Sequence, residues 1–195
     1  MIKHRASRAS LLAVLILAVT SDAEMPTSDV STNAIPRRSY LDEKAAQIAA
    51  RAAVANCAKS GFTVAVVITD SNGVPVVTLL RGGGDQKLLH AASEKATTAI
   101  RFNSSSQDIA SRVMTDSNLA AAIGAVPKTG VTSPGALFLT DYFRTLGTIA
   151  VAGAANDEED EHCAQSGVDA FAWADWKRQD LEYFLSDPMR SHQDN

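Results

Sequence analysis

LGTIAVAGAANDEEDEHCAQSG, residues 146–167, carries an apolar run into Gly153 and then a helix-opening signal, so a strand and a helix follow each other with almost no loop. Asn156 with Glu159 three residues on is a capping pattern, and the acidic residues Asp157 to Glu161 suit the first turn because they oppose the helix dipole. Gly167 then reads as the residue that stops this helix.

Similar punctuation organises the chain on the N-terminal side of that stretch. Ser39 with Asp42 forms a capping-box pattern, and Leu41, Ala45, Ile48, Ala52 and Ala55 recur at helical spacing until Gly61. Phe62 to Thr69 is dense in Val and Ile, Asp70-Ser71-Asn72-Gly73 supplies a turn, and Val74 to Leu80 is apolar again, which predicts a β-hairpin. Pro75 has no N–H for a ladder, so the second strand is expected at an edge or a bulge. A glycine loop, Arg81-Gly82-Gly83-Gly84-Asp85, precedes a helix over about Lys87 to Phe102. Ser104 to Ser106 form the next cap region, short helices are expected over Gln107 to Met114 and Ser117 to Ile123, and Val126 to Pro134 is an irregular loop. Gly135 to Thr140 and Thr145 to Ala152 read as two further strands around an Asp141-Tyr142 turn. Beyond Gly167, Phe171, Trp173, Trp176, Leu181, Tyr183 and Phe184 predict a C-terminal helix with much aromatic surface, packed on the domain or on a second subunit. Strand pairs interrupted by helices, without regular strand-helix alternation, place the fold in the α+β class, an antiparallel sheet with helices on its faces.

Lys3, Arg5 and Arg8, the apolar run Leu11 to Val19, and small residues at Ser21 and Ala23 have the order of a cleaved secretory signal, residues 1–23. That run is too short to span a bilayer, so no membrane span is expected. Residues 24–38, rich in Ser, Thr, Pro and Asp, read as a flexible leader, residues 39–170 as one domain, and residues 171–195 as a C-terminal helix and tail. The whole chain has 18 basic and 22 acidic residues; losing Lys3, Arg5, Arg8 and Asp22 with the signal leaves 15 and 21, a charge of −6. An acidic chain is a poor partner for nucleic acid, whose phosphates need clustered Lys and Arg. Cys57 and Cys163 are the two cysteines; export to an oxidising compartment would permit a disulfide, and small buried thiols would suit the same Ala-rich helices equally well.

No residue set spells a reaction. The chain lacks Gly-x-Ser-x-Gly, and no Ser or Cys is placed near an identified base, so the catalytic residues are unknown and a hydrolase is unsupported. Asp157 to Glu161 with His162 hints at a metal, yet no second ligand cluster completes a coordination set, and none is assigned. The Arg81 loop fits neither a P-loop nor a dinucleotide fingerprint; it is a solvated loop or a receptor for a carboxylate or propionate. His90 and His162 are the imidazoles of the folded body, either surface residues or haem ligands, while His4 leaves with the signal and His192 lies in the tail.

Several of these segments together resemble the HbpS/GlcG-like proteins, also described by a DUF336-type domain. The family's aliphatic-Val-Asp-x-x-Gly turn is matched by Ile68-Thr69-Asp70-Ser71-Asn72-Gly73, the Arg after the second strand by Arg81, and its Lys-Ala-x-Thr-Ala helix by Lys95-Ala96-Thr97-Thr98-Ala99 with Phe102 following. Its Gly-rich strand is matched by Leu146 to Ala154 and its Asp-Glu-x-x-Ala-x-x-Gly by Asp160 to Gly167, so the resemblance covers about Leu41 to Asp169. The family's Gly-Gly-x-Pro-Ile has become Pro134-Gly135-Ala136-Leu137-Phe138, Ala150 and Ala152 replace a Gly and a Ser, and Lys87-Leu88 stands where many members have His-Thr.

The resemblance implies a profilin-like domain, with a central antiparallel sheet and helices on both faces, commonly assembled into homo-oligomers. It implies an exported, secreted or periplasmic, haem-binding protein, with haem degradation as its enzymatic version. Arg81 or Lys95 would meet a propionate, Phe102 would contact the ring, and His90, His162 or the Thr98 hydroxyl would meet the iron. The competing reading is a secreted oligomeric protein of the same fold that binds another small molecule, or serves as a scaffold, with Lys95 and Gly153 in packing roles; the absent His-Thr pair favours it.

Overall fold

The computed structural model describes residues 40–81, 83–141 and 144–186, with side chains as far as residue 178. The expected signal and leader, the Ser39 cap, Tyr142 of the β-turn and the tail from residue 187 lie outside the described residues, as do the side chains of Leu181, Tyr183 and Phe184. The elements are α1 (Glu43–Lys59), β1 (Ala65–Asp70), β2 (Pro75–Leu80), α2 (Gln86–Phe102), α3 (Ser106–Val113), α4 (Ser117–Ala125), β3 (Ala136–Asp141), β4 (Arg144–Ala152) and α5 (Asp157–Ser186). The sheet has the order β2-β1-β4-β3, and every neighbouring pair is antiparallel.

β1 lies inside the sheet and is covered on both faces, which is why its sequence is continuously apolar rather than alternating. Val64, Val66 and Ile68 join Ile149 and Val151 in a core with α1 and α5. Ala65 and Val67 join Ala152 in a second core with Ala92 of α2. Helices therefore cover both faces, as the resemblance implied. β2 is an edge strand, and its pairing with β1 shifts register where Pro75 meets Thr69, as the missing proline N–H requires.

The helix starts follow the capping chemistry, with shifts of a residue or more. Asp42 caps α1, accepting from Ala45 N at 2.9 Å; Asp85 caps α2, Ser105 caps α3 and Asp116 caps α4. Asn156 Oδ1 accepts from Glu159 N at 2.9 Å at the start of α5, as expected.

Two expectations fail. The buried stripe of α1 is Ala45, Ala46, Ala49, Ala50, Ala53 and Cys57, while Ile48 and Ala55 face outward. Alanine is apolar enough to bury yet common on helix surfaces, so spacing alone cannot tell which Ala stripe turns inward. Gly167 does not stop α5, which runs unbroken from Asp157 to Ser186 and crosses residue 170. It serves close packing instead: a Cβ there would lie 2.3 Å from Ile149 Cδ1 and 3.0 Å from Ala49 O.

α1 and α5 run antiparallel. Cys57 faces Cys163, Ala53 faces Gly167, and Asp42 faces Arg178, whose Nε lies 3.7 Å from the Asp42 carboxylate. Cys57 and Cys163 form a buried disulfide with Cα atoms 5.6 Å apart. The facing surfaces are mostly Ala and Gly, which bury little area each, so a covalent tie has a large share in holding the pair.

In a chain-entropy account, a bridge closing a loop of about 100 residues stabilises by about 4–5 kcal/mol; this one spans 106. Urea unfolding should show a lower midpoint, and an unfolding free energy smaller by a similar amount, for the Cys57→Ser/Cys163→Ser chain and for the parent chain under reductant. A parent midpoint indifferent to reductant would remove the bridge from this account.

Candidate functional site

Small residues let α2 approach the sheet closely: Ala92, Ala96 and Ala99 are buried against a surface that includes Ala65, Ala136, Ala150 and Ala152. Lys95 lies on the same inward face and is only 2% exposed. Its Nζ donates to Pro134 O at 2.6 Å, to Asp160 Oδ2 at 2.8 Å and to Asp157 Oδ1 at 3.3 Å. These acceptors match the three protons of an ammonium. Asp160 is buried too, and its Oδ1 accepts from Ala154 N at 2.8 Å.

The charge cluster thus joins α2, the loop before β3 and the opening of α5. Gly135 makes room for it: its φ is +123°, and a Cβ there would stand 3.0 Å from Lys95 Nζ and 2.8 Å from Val151 O. Next to it, Ser106 Oγ accepts from Ala136 N at 2.7 Å, which ties α3 to the start of β3.

Burial pushes the Asp160 carboxyl above the ordinary aspartate range, more than Lys95 draws it down. Glu161, one residue on, is also pushed up by burial, against support from the Gly135 N–H and with added repulsion from Asp108 and Glu158. Its Oε2 is buried without a hydrogen-bond partner. Among the described residues, no group of three or more His, Cys, Asp or Glu could hold a metal ion.

The six candidate residues do not converge. Lys95 uses its donors inside the protein, and Thr98, also buried, donates from Oγ1 to Glu94 O at 2.7 Å. Arg81 is exposed where β2 ends, and Phe102 is half-buried at the last turn of α2. His90 lies on the outer face of α2, its side chain 74% exposed, with Nε2 3.3 Å from Glu94 Oε1. His162 is exposed on α5, a helix that covers the sheet face opposite α2. Leu80, Leu88 and Leu89, all half-buried, form apolar surface in the segments that carry Arg81 and His90.

Sequence reasoning missed the Lys95–Asp160 pairing and the parts of Gly135, Ser106 and Glu161. The available signal was a lysine at an inward helical position among alanines, which needs a carboxylate from elsewhere in the chain. Asp157 and Asp160 drew attention as possible metal ligands, whereas their partner is this ammonium.

Residues 41–169 match the model of a family described as haem degrading protein HbpS-like. Among solved structures, the chain is similar to a double mutant of HbpS from Streptomyces reticuli, at 28% identity and a TM-score of 0.60, covering 82% of this chain and 97% of that one. It is similar to a further HbpS structure at 31% identity and a TM-score of 0.61, covering 70% of this chain and 93% of that one. The fold also matches the PduOC:Heme complex, with 22% identity and a TM-score of 0.61, over 67% of this chain and 94% of that one. No curated protein matches the chain.

Breaking a buried pair by removing one partner costs about 3–5 kcal/mol. Lys95→Met should therefore destabilise the chain by several times more than replacement of an exposed lysine such as Lys87, measured by chemical unfolding; equal effects would refute the buried pairing. Glu161 gives a pH signature. Because its folded carboxyl titrates above the ordinary value of 4.5, its contribution is complete below that pH and is lost as pH rises through the folded value. Glu161→Gln should gain stability relative to the parent as pH increases from 4.5, then level off; parallel stability curves would refute the raised value.

Proposed function

The chain belongs to the HbpS-like family, and from that premise we propose that it binds haem on the surface formed by the end of β2 and the outer face of α2. The observation that carries the location is the exposed His90 backed by Glu94. A carboxylate at Nε2 orients the ring and leaves Nδ1 for a metal.

The chemistry of the neighbouring residues fits an amphipathic cofactor. Leu80, Leu88 and Leu89 provide apolar surface, and the exposed Arg81 guanidinium suits a propionate. Lys95 and Thr98 act from beneath by holding α2 in place, Phe102 adds apolar surface at the far end of the helix, and His162 stands apart from this site. Haem, when bound, supplies iron for ligand exchange and redox chemistry. The family description and the likeness to a haem complex support the reading. Haem degradation is its enzymatic extension.

We place the working protein outside the cytoplasm, secreted or periplasmic, on two supports: the signal-like order of residues 1–23 and a disulfide, which persists in oxidising compartments. A second reading, a protein of the same fold whose ligand is not haem, is favoured by one observation. Lys87 and Leu88 stand where many family members have His-Thr.

A haemin titration followed at the Soret band tests the proposal. The parent chain should saturate at one haem per chain, and Arg81→Ala and His90→Ala should each weaken binding about tenfold, the loss expected for one charge-assisted or ligand contact. A titration without saturation, or one that neither change affects, would overturn the site.

A further inference from the structure

We infer that Asn72 is a site of covalent modification by the chain's own backbone: its side-chain amide is lost as ammonia to attack by the Gly73 nitrogen, and Asp70 governs the rate. Asn72 is the one asparagine of the chain that glycine follows. It is exposed at the tip of the β1–β2 hairpin, and Gly73 has φ +81°. Asparagine is chemically labile, and a glycine after it presents a nitrogen that no side chain shields, on a backbone free to turn toward the carboxamide.

The reaction needs only water. The Gly73 nitrogen loses its proton to solvent and bonds to Asn72 Cγ, the Cγ–Nδ2 bond breaks, and Nδ2 takes a proton from solvent and leaves as ammonia. A cyclic imide remains, and water adds to either of its carbonyls. Opening at Cγ gives aspartate. Opening at the main-chain carbonyl gives isoaspartate, whose backbone runs through the former side chain and is longer by a methylene.

Asp70 holds both reacting groups. Its main-chain oxygen accepts from Gly73 N at 3.0 Å, and its Oδ2 accepts from Asn72 Nδ2 at 3.4 Å. Its Oδ1 accepts from Asn72 N at 2.9 Å and from Val74 N at 2.8 Å, which fixes the turn around them. Attack therefore waits on local opening of the turn. Such opening disturbs little pairing, because β2 is an edge strand whose register already shifts at Pro75. Other exposed asparagines are held within or beside helices and precede residues with side chains. Ser104 N, after Asn103, donates to Ala99 O at 3.1 Å; Leu119 N, after Asn118, donates to Asp116 Oδ1 at 3.0 Å; Asn156 caps α5. Conversion also changes the turn: aspartate puts a carboxylate where Nδ2 had donated to Asp70, so like charges meet.

Peptide mapping by mass spectrometry of the full chain, held at mildly alkaline pH, tests the inference. The mass change of amide-to-carboxylate exchange should appear at Asn72 before it appears at Asn103, Asn118 or Asn156, with aspartate and isoaspartate forms separable by chromatography. Asp70→Ala should speed the loss at Asn72 several-fold in the folded chain, with circular dichroism checking the fold, and should leave the rate in denaturant unchanged. The parent chain alone supplies a test that needs no variant, since denaturant should speed its loss at Asn72 several-fold. Loss at Asn72 no faster than at the other asparagines would overturn the site. Equal rates for the folded and denatured parent, or for the folded parent and folded Asp70→Ala, would overturn the part given to Asp70. The chemistry involves neither haem nor the outer face of α2, so it stands or falls apart from the proposed ligand site.

Discussion

Lys95 carries its charge to a place that water barely reaches, and an ammonium there costs several kcal/mol unless acceptors replace its hydration. Those acceptors come from segments far apart in sequence: the Pro134 carbonyl and the carboxylates of Asp157 and Asp160. The requirement to gather them brings α2 on one sheet face together with α5, which belongs to the other. The same requirement explains Gly135, where a side chain would occupy the space of the ammonium. It also gives the acidic opening of α5 a second function, since carboxylates that favour the helix dipole also neutralise the buried cation.

Around that cluster, the layers are joined by small residues rather than by large apolar ones. α1 meets α5 through Ala49, Ala53, Ala164 and Gly167, and α2 meets the sheet through Ala92, Ala96 and Ala99. Small residues allow close backbone approach but bury little area, so specific ties become more important. The disulfide and the Asp42–Arg178 pair hold the two ends of the α1–α5 contact, with Gly167 between them. The cation cluster holds α2 in a comparable way.

Much of this fold was legible in the sequence because turns, caps and edge strands have local chemistry. The Asp70-Ser71-Asn72-Gly73 turn is recognisable since Asp70 Oδ1 accepts from the N–H groups of Asn72 and Val74, and Pro75 signals an edge through a missing donor. Asn156 caps α5 by the same local logic. Gly167 misled because a glycine has two uses, ending a helix through positive φ or admitting a neighbour, and only the tertiary partner distinguishes them. The inward stripe of α1 was obscure for a related reason: alanine on either side of the helix looks the same in sequence. Of the candidate site, the residue types were legible, but their grouping was not. Lys95 and Asp160 are separated by 65 positions, and His90 and His162 fall on helices covering opposite sheet faces.

α2 links these observations because its two faces have different tasks. The inward face carries Lys95 and Thr98, whose polar atoms are engaged within the protein, and the outward face carries His90 beside Glu94. A ligand atom on a helix is only as well placed as the helix, and the rigidity of a site derives from the shell that supports it. The salt bridge beneath α2 therefore bears on whatever meets its outer surface, although Lys95 itself touches none of it. Family resemblance identifies Lys95 as a landmark, and burial explains why: its ammonium ties α2 to the loop before β3 and to the opening turn of α5.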